Sequence, residues 1–208
     1  MDVDHSIQVT IPPGYYEMPL AGNGLLESTQ PLIEEALPEL REDIPKVIGT
    51  LSFLLSVTAA KNTVYCGIGI HASPGGTQLT SWLTISALRG EPRNPRRVVH
   101  DLAKDKLSEE VPWTVAPLEL ADRPVLFSEK VHSYPAPDLT HLPGSAASVP
   151  IYQAEVLVPS DDGSTIAVIE FSTGSADDGP RFQDMLLAMV TTLRFVRAEK
   201  RTMSSLDL

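Results

Sequence analysis

Apolar and polar residues alternate with period two along several stretches of this chain, the pattern of strands that bury one face. The clearest stretch lies between 149 and 171, where Tyr152, Ala154, Val156 and Val158 alternate along one run and Ala167, Ile169 and Phe171 along a second. Asp162-Gly163 stands midway between them, which predicts a hairpin. Symmetric pairing about that dipeptide sets Val158 opposite Ala167, Val156 opposite Ile169 and Ala154 opposite Phe171. A slip of one residue would carry Glu170 into the apolar face. The period then changes to that of a helix. Phe182, Met185, Leu186, Met189, Val190 and Leu193 follow the spacing of a core-facing stripe, with Pro180 near the first turn. Hairpin and helix, together spanning 149 to 196, present matching apolar faces, and the rest of the chain is expected to organise around them.

Taken in order, Ile7, Val9 and Ile11 predict a short strand that stops at Pro12-Pro13-Gly14. Residues 14 to 28 read as a loop anchored by Tyr15, Tyr16, Met18 and Leu20. Pro31 can start an acidic helix with Glu34, Glu35, Glu39 and Glu42, broken near Pro38. Asp43 can cap a second helix, with Pro45 in its first turn. Ile44, Val47, Ile48, Leu51, Leu54 and Leu55 form one apolar side of it, and Phe53 and Val57 make the opposite side apolar as well. Such a helix is either deeply buried or has a second partner. Two strands follow, with Val64, Cys66, Ile68 and Ile70 on one and Leu79, Leu83 and Ile85 on the other. Pairing about Pro74-Gly75 sets Cys66 opposite Leu83 and Ile68 opposite Ser81, and lays the Trp82 ring across Gly67. The remaining face then carries Tyr65, Gly67, Gly69, His71, Thr80, Trp82 and Thr84.

Asn94 can cap a helix that begins at Pro95 and buries Val98, Val99, Leu102, Ala103 and Leu107. Strands over 113–120 and 123–132 meet at Ala121-Asp122, pairing Leu118 with Val125, Leu120 with Arg123 and Ala116 with Phe127. Pro117 marks the first as an edge or bulged strand. Residues 133 to 148 read as one long irregular loop. The whole reads as a single domain over 1–196 followed by a flexible tail, 197–208. The fold class is α+β: a largely antiparallel sheet of hairpins packed against helices, as a single layer or a sandwich. A short first strand ending in Pro-Pro-Gly, a sheet of hairpins and a last helix reading MLLAMVTTLRFV resemble the PsbP/LpqN-like group over roughly residues 6 to 196. The resemblance implies an accessory or binding protein without catalysis of its own. Several members of that group are secreted or lipid-anchored, whereas the sequence here opens without a signal-like segment or lipobox cysteine. No functional residue carries over.

Composition narrows the partners. A formal charge of −11 over 208 residues disfavours a general nucleic-acid binder. The single cysteine excludes an internal disulfide, and no apolar run reaches the length of a spanning helix. A cytoplasmic protein without membrane insertion is expected. The five histidines fall at no metal-ligand spacing, Gly67-Ile68-Gly69 lacks the context of a dinucleotide site, and no nucleophile motif is present. Neither catalytic residue, metal nor cofactor is expected.

Two sites stand out. Tyr65, His71, Trp82 and Thr84, with Phe53 on the doubly apolar helix, carry the aromatic and small polar mix of a protein interface, with another protein or a second copy as partner. Arg93, Arg96 and Arg97, beside Arg89, cluster at a helix start suited to an anion, or to the chain's own acidic 34–43 segment. The preferred reading is a non-enzymatic binding or adaptor module. The alternative is a small-molecule-binding protein or enzyme with a pocket under the 133–148 loop, using His132, Tyr134, His141 or Cys66.

Overall fold

The computed structural model describes residues 5–20, 62–72, 76, 78–111, 113–135 and 148–197. The two helices expected over 31–60, Phe53, His141, the Pro74-Gly75 turn and the tail beyond Arg197 lie outside these residues. In chain order the described elements are β1 (His5–Gln8), β2 (Tyr15–Glu17), β3 (Thr63–Ala72), β4 (Gln78–Arg89), α1 (Pro95–Leu107), β5 (Thr114–Leu120), β6 (Arg123–Pro135), β7 (Ser148–Pro159), β8 (Thr165–Thr173), a 3-10 helix (Ala176–Phe182), α2 (Gln183–Thr192) and β9 (Arg194–Arg197). Seven strands make one antiparallel sheet in the order β2-β3-β4-β8-β7-β6-β5, and β1 pairs separately with β9. The class is α+β, as the spacing of apolar residues predicts.

Where local turn chemistry is strong, the register follows it. In the β7–β8 hairpin Ala154 pairs with Phe171, Val156 with Ile169 and Val158 with Ala167. Gly163 supplies the positive φ of +67°. One carboxylate oxygen of Asp162 accepts from the Ser160 and Ser164 hydroxyls, both at 2.7 Å, and from the Ser164 amide at 3.0 Å. The β5–β6 turn puts Ala121 and Asp122 at φ of 49° and 61°, the positive pair a two-residue hairpin turn needs. It yields the expected partners Leu118–Val125, Leu120–Arg123 and Ala116–Phe127. With Pro117 at its centre, β5 is indeed the outer strand. Asn94 caps α1 by accepting from the amides of Arg96 and Arg97.

Several expectations are corrected. Cys66 pairs with Thr84, not Leu83, and Ile68 with Trp82, not Ser81, so the Trp82 ring does not cross Gly67. Ala72 and Gln78 are partners, which leaves the odd number of five residues, 73 to 77, between them. A turn centred on Pro74-Gly75 requires an even number, and the change shifts every pair by one. Tyr15–Glu17, expected in a loop, forms strand β2 against β3. Residues 194–197 leave the helix to form β9, with Ile7 opposite Phe195, so Arg197 belongs to a strand and not to the tail. Pro180 lies inside the 3-10 helix, and α2 begins only at Gln183. The loop after β6 is shorter than expected, because β6 and β7 pair out to Pro135–Ser148. Leu107, expected on the buried side of α1, is 57% exposed.

Both faces of the sheet carry apolar cover. On the α2 face Leu83, Ile85, Val156, Val158, Ile169 and Phe171 pack under Leu186, Met189, Val190 and Leu193. On the α1 face Val99 and Ala103 cover Leu126, Leu157 and Val168, and Met18 covers Cys66 beside Ile68 and Trp82.

Candidate functional site

Cross-strand partners share a face, so the corrected register divides the expected aromatic site. Tyr65 pairs with Ile85 and His71 with Leu79, on the α2 face. Trp82 and Thr84 pair with Ile68 and Cys66, on the other.

On the α2 face the polar groups are enclosed. His71 Nε2 lies 3.0 Å from Ser81 Oγ, and the Ser81 hydroxyl donates to Tyr15 Oη at 3.1 Å. With the serine proton given to Tyr15, the tautomer that fits this chain is the one in which His71 Nε2 donates to the serine oxygen. Gly69 makes this cluster possible, because a Cβ there would collide with His71 Nε2 and Ser81 Oγ. The His71 ring meets Tyr15 and Phe182 edge-on, at 5.1 and 5.0 Å. Burial lowers its pKa, which keeps it neutral at pH 7. The group braces β2, β4 and the 3-10 helix, and among the described residues no acid is bonded to the imidazole.

On the α1 face two rows of side chains cross the sheet. The first is Cys66, Thr84, Glu170, Glu155, Ser128 and Val115; the second is Tyr16, Ile68, Trp82, Ser172, Gln153 and Lys130. In the first row Thr84 donates to Glu170 at 2.9 Å, and Glu155 stands directly opposite Glu170. Lys106, from the last turn of α1, reaches Glu155 at 2.5 Å. Burial raises the pKa of Glu155; Lys106 opposes that shift, and the Glu170 and Glu109 carboxylates add to it. Desolvation therefore outweighs the ion pair. Beside it the buried Ser128 hydroxyl has no hydrogen-bond partner.

The end of this row is closed by Trp113, whose ring lies 3.8 Å from Lys106 Nζ and 4.2 Å from Lys130 Nζ. Its indole N–H donates to Glu109 at 2.7 Å. Burial would raise the Glu109 pKa, but the indole and the two lysines outweigh it and hold the carboxylate below its usual range. The second row stands further from α1, and Ile68, Trp82, Ser172 and Gln153 are each only half-buried. Next to it His132 and Tyr134 meet edge-on at 4.7 Å, and Tyr134 donates to Gln153 at 3.1 Å. The row thus presents rings, an amide and a hydroxyl on strands fixed by the network beneath.

The other expected sites are not brought together. Arg96 pairs with Glu119 at 2.9 Å, and the amides at the start of α1 are taken by Asn94. The Arg93 amide donates to the Asp162 carbonyl, which bolts the arginine loop to the central hairpin. The groove of about 320 Å³ beside it has Arg89 and Arg93, but also Asp101, Asp105 and Glu91, so its charge is mixed. Cys66 is four strands from His132, roughly 19 Å at ~4.8 Å per strand, and cannot share a pocket with it. Burial pushes its thiol up to about 12. Among the described residues no three His, Cys, Asp or Glu side chains gather around a metal position, and no helix is long and apolar enough to cross a membrane.

The acidic pair, Ser128 and the Trp113 clamp are candidate-site features that reading the sequence missed. The hairpin register about Asp162-Gly163 is signal enough to set Glu155 opposite Glu170, but nothing local aligns Ser128 and Trp113 with them. No family model matches the chain, and no curated protein matches it.

Proposed function

We propose that the protein is a non-enzymatic binding module, an accessory or adaptor of the PsbP/LpqN-like kind, which works in the cytoplasm and holds a protein partner on its α1 face. One observation carries this reading: Gln153, His132 and Tyr134 stand half-buried or exposed beside one another, and Trp82 continues the same face two strands from Gln153. Aromatic rings with a polar tip supply contact area at a small entropic cost, and they are enriched where partners dock. The chemistry nearby favours docking over catalysis, because the Ser81 hydroxyl donates to Tyr15 and Cys66 holds its proton well above neutral pH. The test is affinity capture with the tagged full chain, run beside Trp82→Ala and Tyr134→Ala chains whose circular dichroism matches the parent. A stoichiometric companion held by the parent and lost by both variants is the expected result. A companion retained equally by all three would place binding elsewhere.

A further inference from the structure

β6 is longer than the strand on its outer side. β5 accompanies it from Arg123 to Glu129, whereas β7 follows it to Pro135. Among the described residues, no strand pairs with the outer edge of residues 131–134. An unpaired edge is a template for another strand, and sheets usually block such edges. Blocks are present elsewhere in this sheet, and on this edge Pro135 closes the far end and limits the free stretch to 131–134. β5 carries Pro117 and Glu119. The part of β7 that β8 does not reach, 148–151, carries Pro150. β2 has three residues and includes Glu17. The Thr80 carbonyl, just beyond the end of β8, accepts from the Thr173 hydroxyl at 2.8 Å. Residues 131–134, Val-His-Ser-Tyr, have neither proline nor an acidic residue, lysine or arginine, in a chain of charge −11. Val131 is 54% and Tyr134 39% exposed.

We propose that a second copy of the chain adds to this edge, antiparallel, about a two-fold axis through Ser133. The register favours a copy of the same chain over another strand. With Ser133 opposite Ser133, His132 of each copy lies opposite Tyr134 of the other. These two rings already meet edge-on within one chain, so the pairing extends them into a ladder of four rings on the α1 face. Two acidic copies repel over most of their surfaces and approach with least cost where the strand carries no charge. The result is one continuous sheet through both copies, the self-complementary contact that two-fold symmetry demands. A pairing this short makes a weak dimer that forms with rising concentration. It shares His132 and Tyr134 with the docking reading but not Trp82, which lies three strands inward, so Trp82→Ala separates the two.

Sedimentation of the full chain from about 1 μM to about 1 mM spans the affinities of such contacts. Directly opposed residues of an antiparallel pair have Cα atoms about 4.5–5.5 Å apart, within disulfide range, and the native Cys66 is buried. Mild oxidation is therefore expected to cross-link a Ser133→Cys chain into a covalent dimer and to leave a Ser148→Cys chain, on the other strand of the same arm, largely monomeric. Val131→Lys, at an exposed position, is expected to weaken association by about tenfold or more, while Trp82→Ala leaves it unchanged. A parent chain monomeric at about 1 mM, a Ser133→Cys chain that cross-links no better than Ser148→Cys, or a dimer indifferent to Val131→Lys would overturn the proposal.

Discussion

The two faces of the seven-stranded sheet are built from the same strands and solve burial in different ways. The α2 face is apolar across its middle: Leu83, Ile85, Val156, Ile169 and Leu186 are fully enclosed, and polar groups there are tied together, His71 with Ser81 and Tyr15 and Glu129 with Tyr152 and Gln183. Among the described residues the α1 face has apolar cover only under α1 and Met18. Between these patches runs a row of carboxylates and hydroxyls in which Glu155 and Glu170 face each other. Like charges directly opposed destabilise a sheet, and a buried ion pair seldom repays its desolvation. Among the described residues the larger apolar cluster lies on the α2 face, while the α1 face buries less apolar surface and holds a polar, ring-bearing row.

The largest expected effect is on the α2 face. Phe171→Ala removes an enclosed ring that contacts both Phe182 and Tyr152, and is expected to cost about 3–5 kcal/mol in urea unfolding. A loss no larger than that of Trp82→Ala on the other face would remove the asymmetry. Next comes Gly69→Ala. Its methyl group would collide with His71, Ser81 and Tyr15, so a loss of about 1–3 kcal/mol is expected from overpacking. Gly90→Ala, where a Cβ meets nothing within 4 Å, is the control expected to leave the melting temperature nearly unchanged.

The α1 face is best probed by pH. Glu155 has a folded-state pKa raised above its ordinary value near 4.5. Its contribution to stability is thus complete below that value and is lost as pH rises through the folded pKa, where the unfolded chain has already released its proton. Glu155→Gln removes this dependence, so its stability relative to the parent is expected to improve steadily as pH rises from about 4.5 toward 7. Melting curves in which the gap stays constant would show that Lys106 fully compensates the carboxylate. The smallest effect is Ser128→Ala. Because that hydroxyl is buried without a partner, its removal is expected to be neutral or to stabilise by a few tenths of a kcal/mol. A loss above about 1 kcal/mol would mean that the hydroxyl is bonded in solution.

The candidate site was less legible in the sequence than the fold. Trp82 and Thr84 could be picked out as an aromatic and polar pair, but Tyr65 and His71 were grouped with them through a register wrong by one residue. Glu155 and Glu170 oppose each other through the β7–β8 hairpin and Ser128 joins them through the β6–β7 pairing, whereas Thr84 reaches Glu170 only because β8 inserts between β4 and β7, an order that alternation does not specify.

Local pattern is enough for the α+β class, the registers about Asp162-Gly163 and Ala121-Asp122, and the start of α1 at Asn94-Pro95. Each rests on forces that act within a few residues: a carboxylate that bonds nearby hydroxyls and an amide, backbone that tolerates positive φ, a side-chain oxygen that caps two amides. The β3–β4 register, the pairing of β1 with β9 across nearly the whole chain, and the approach of Lys106 and Trp113 to the Glu155–Glu170 pair come from the tertiary structure. These depend on where distant segments return to the sheet, and the free energy that chooses among returns comes from packing over both faces at once rather than from any local pattern.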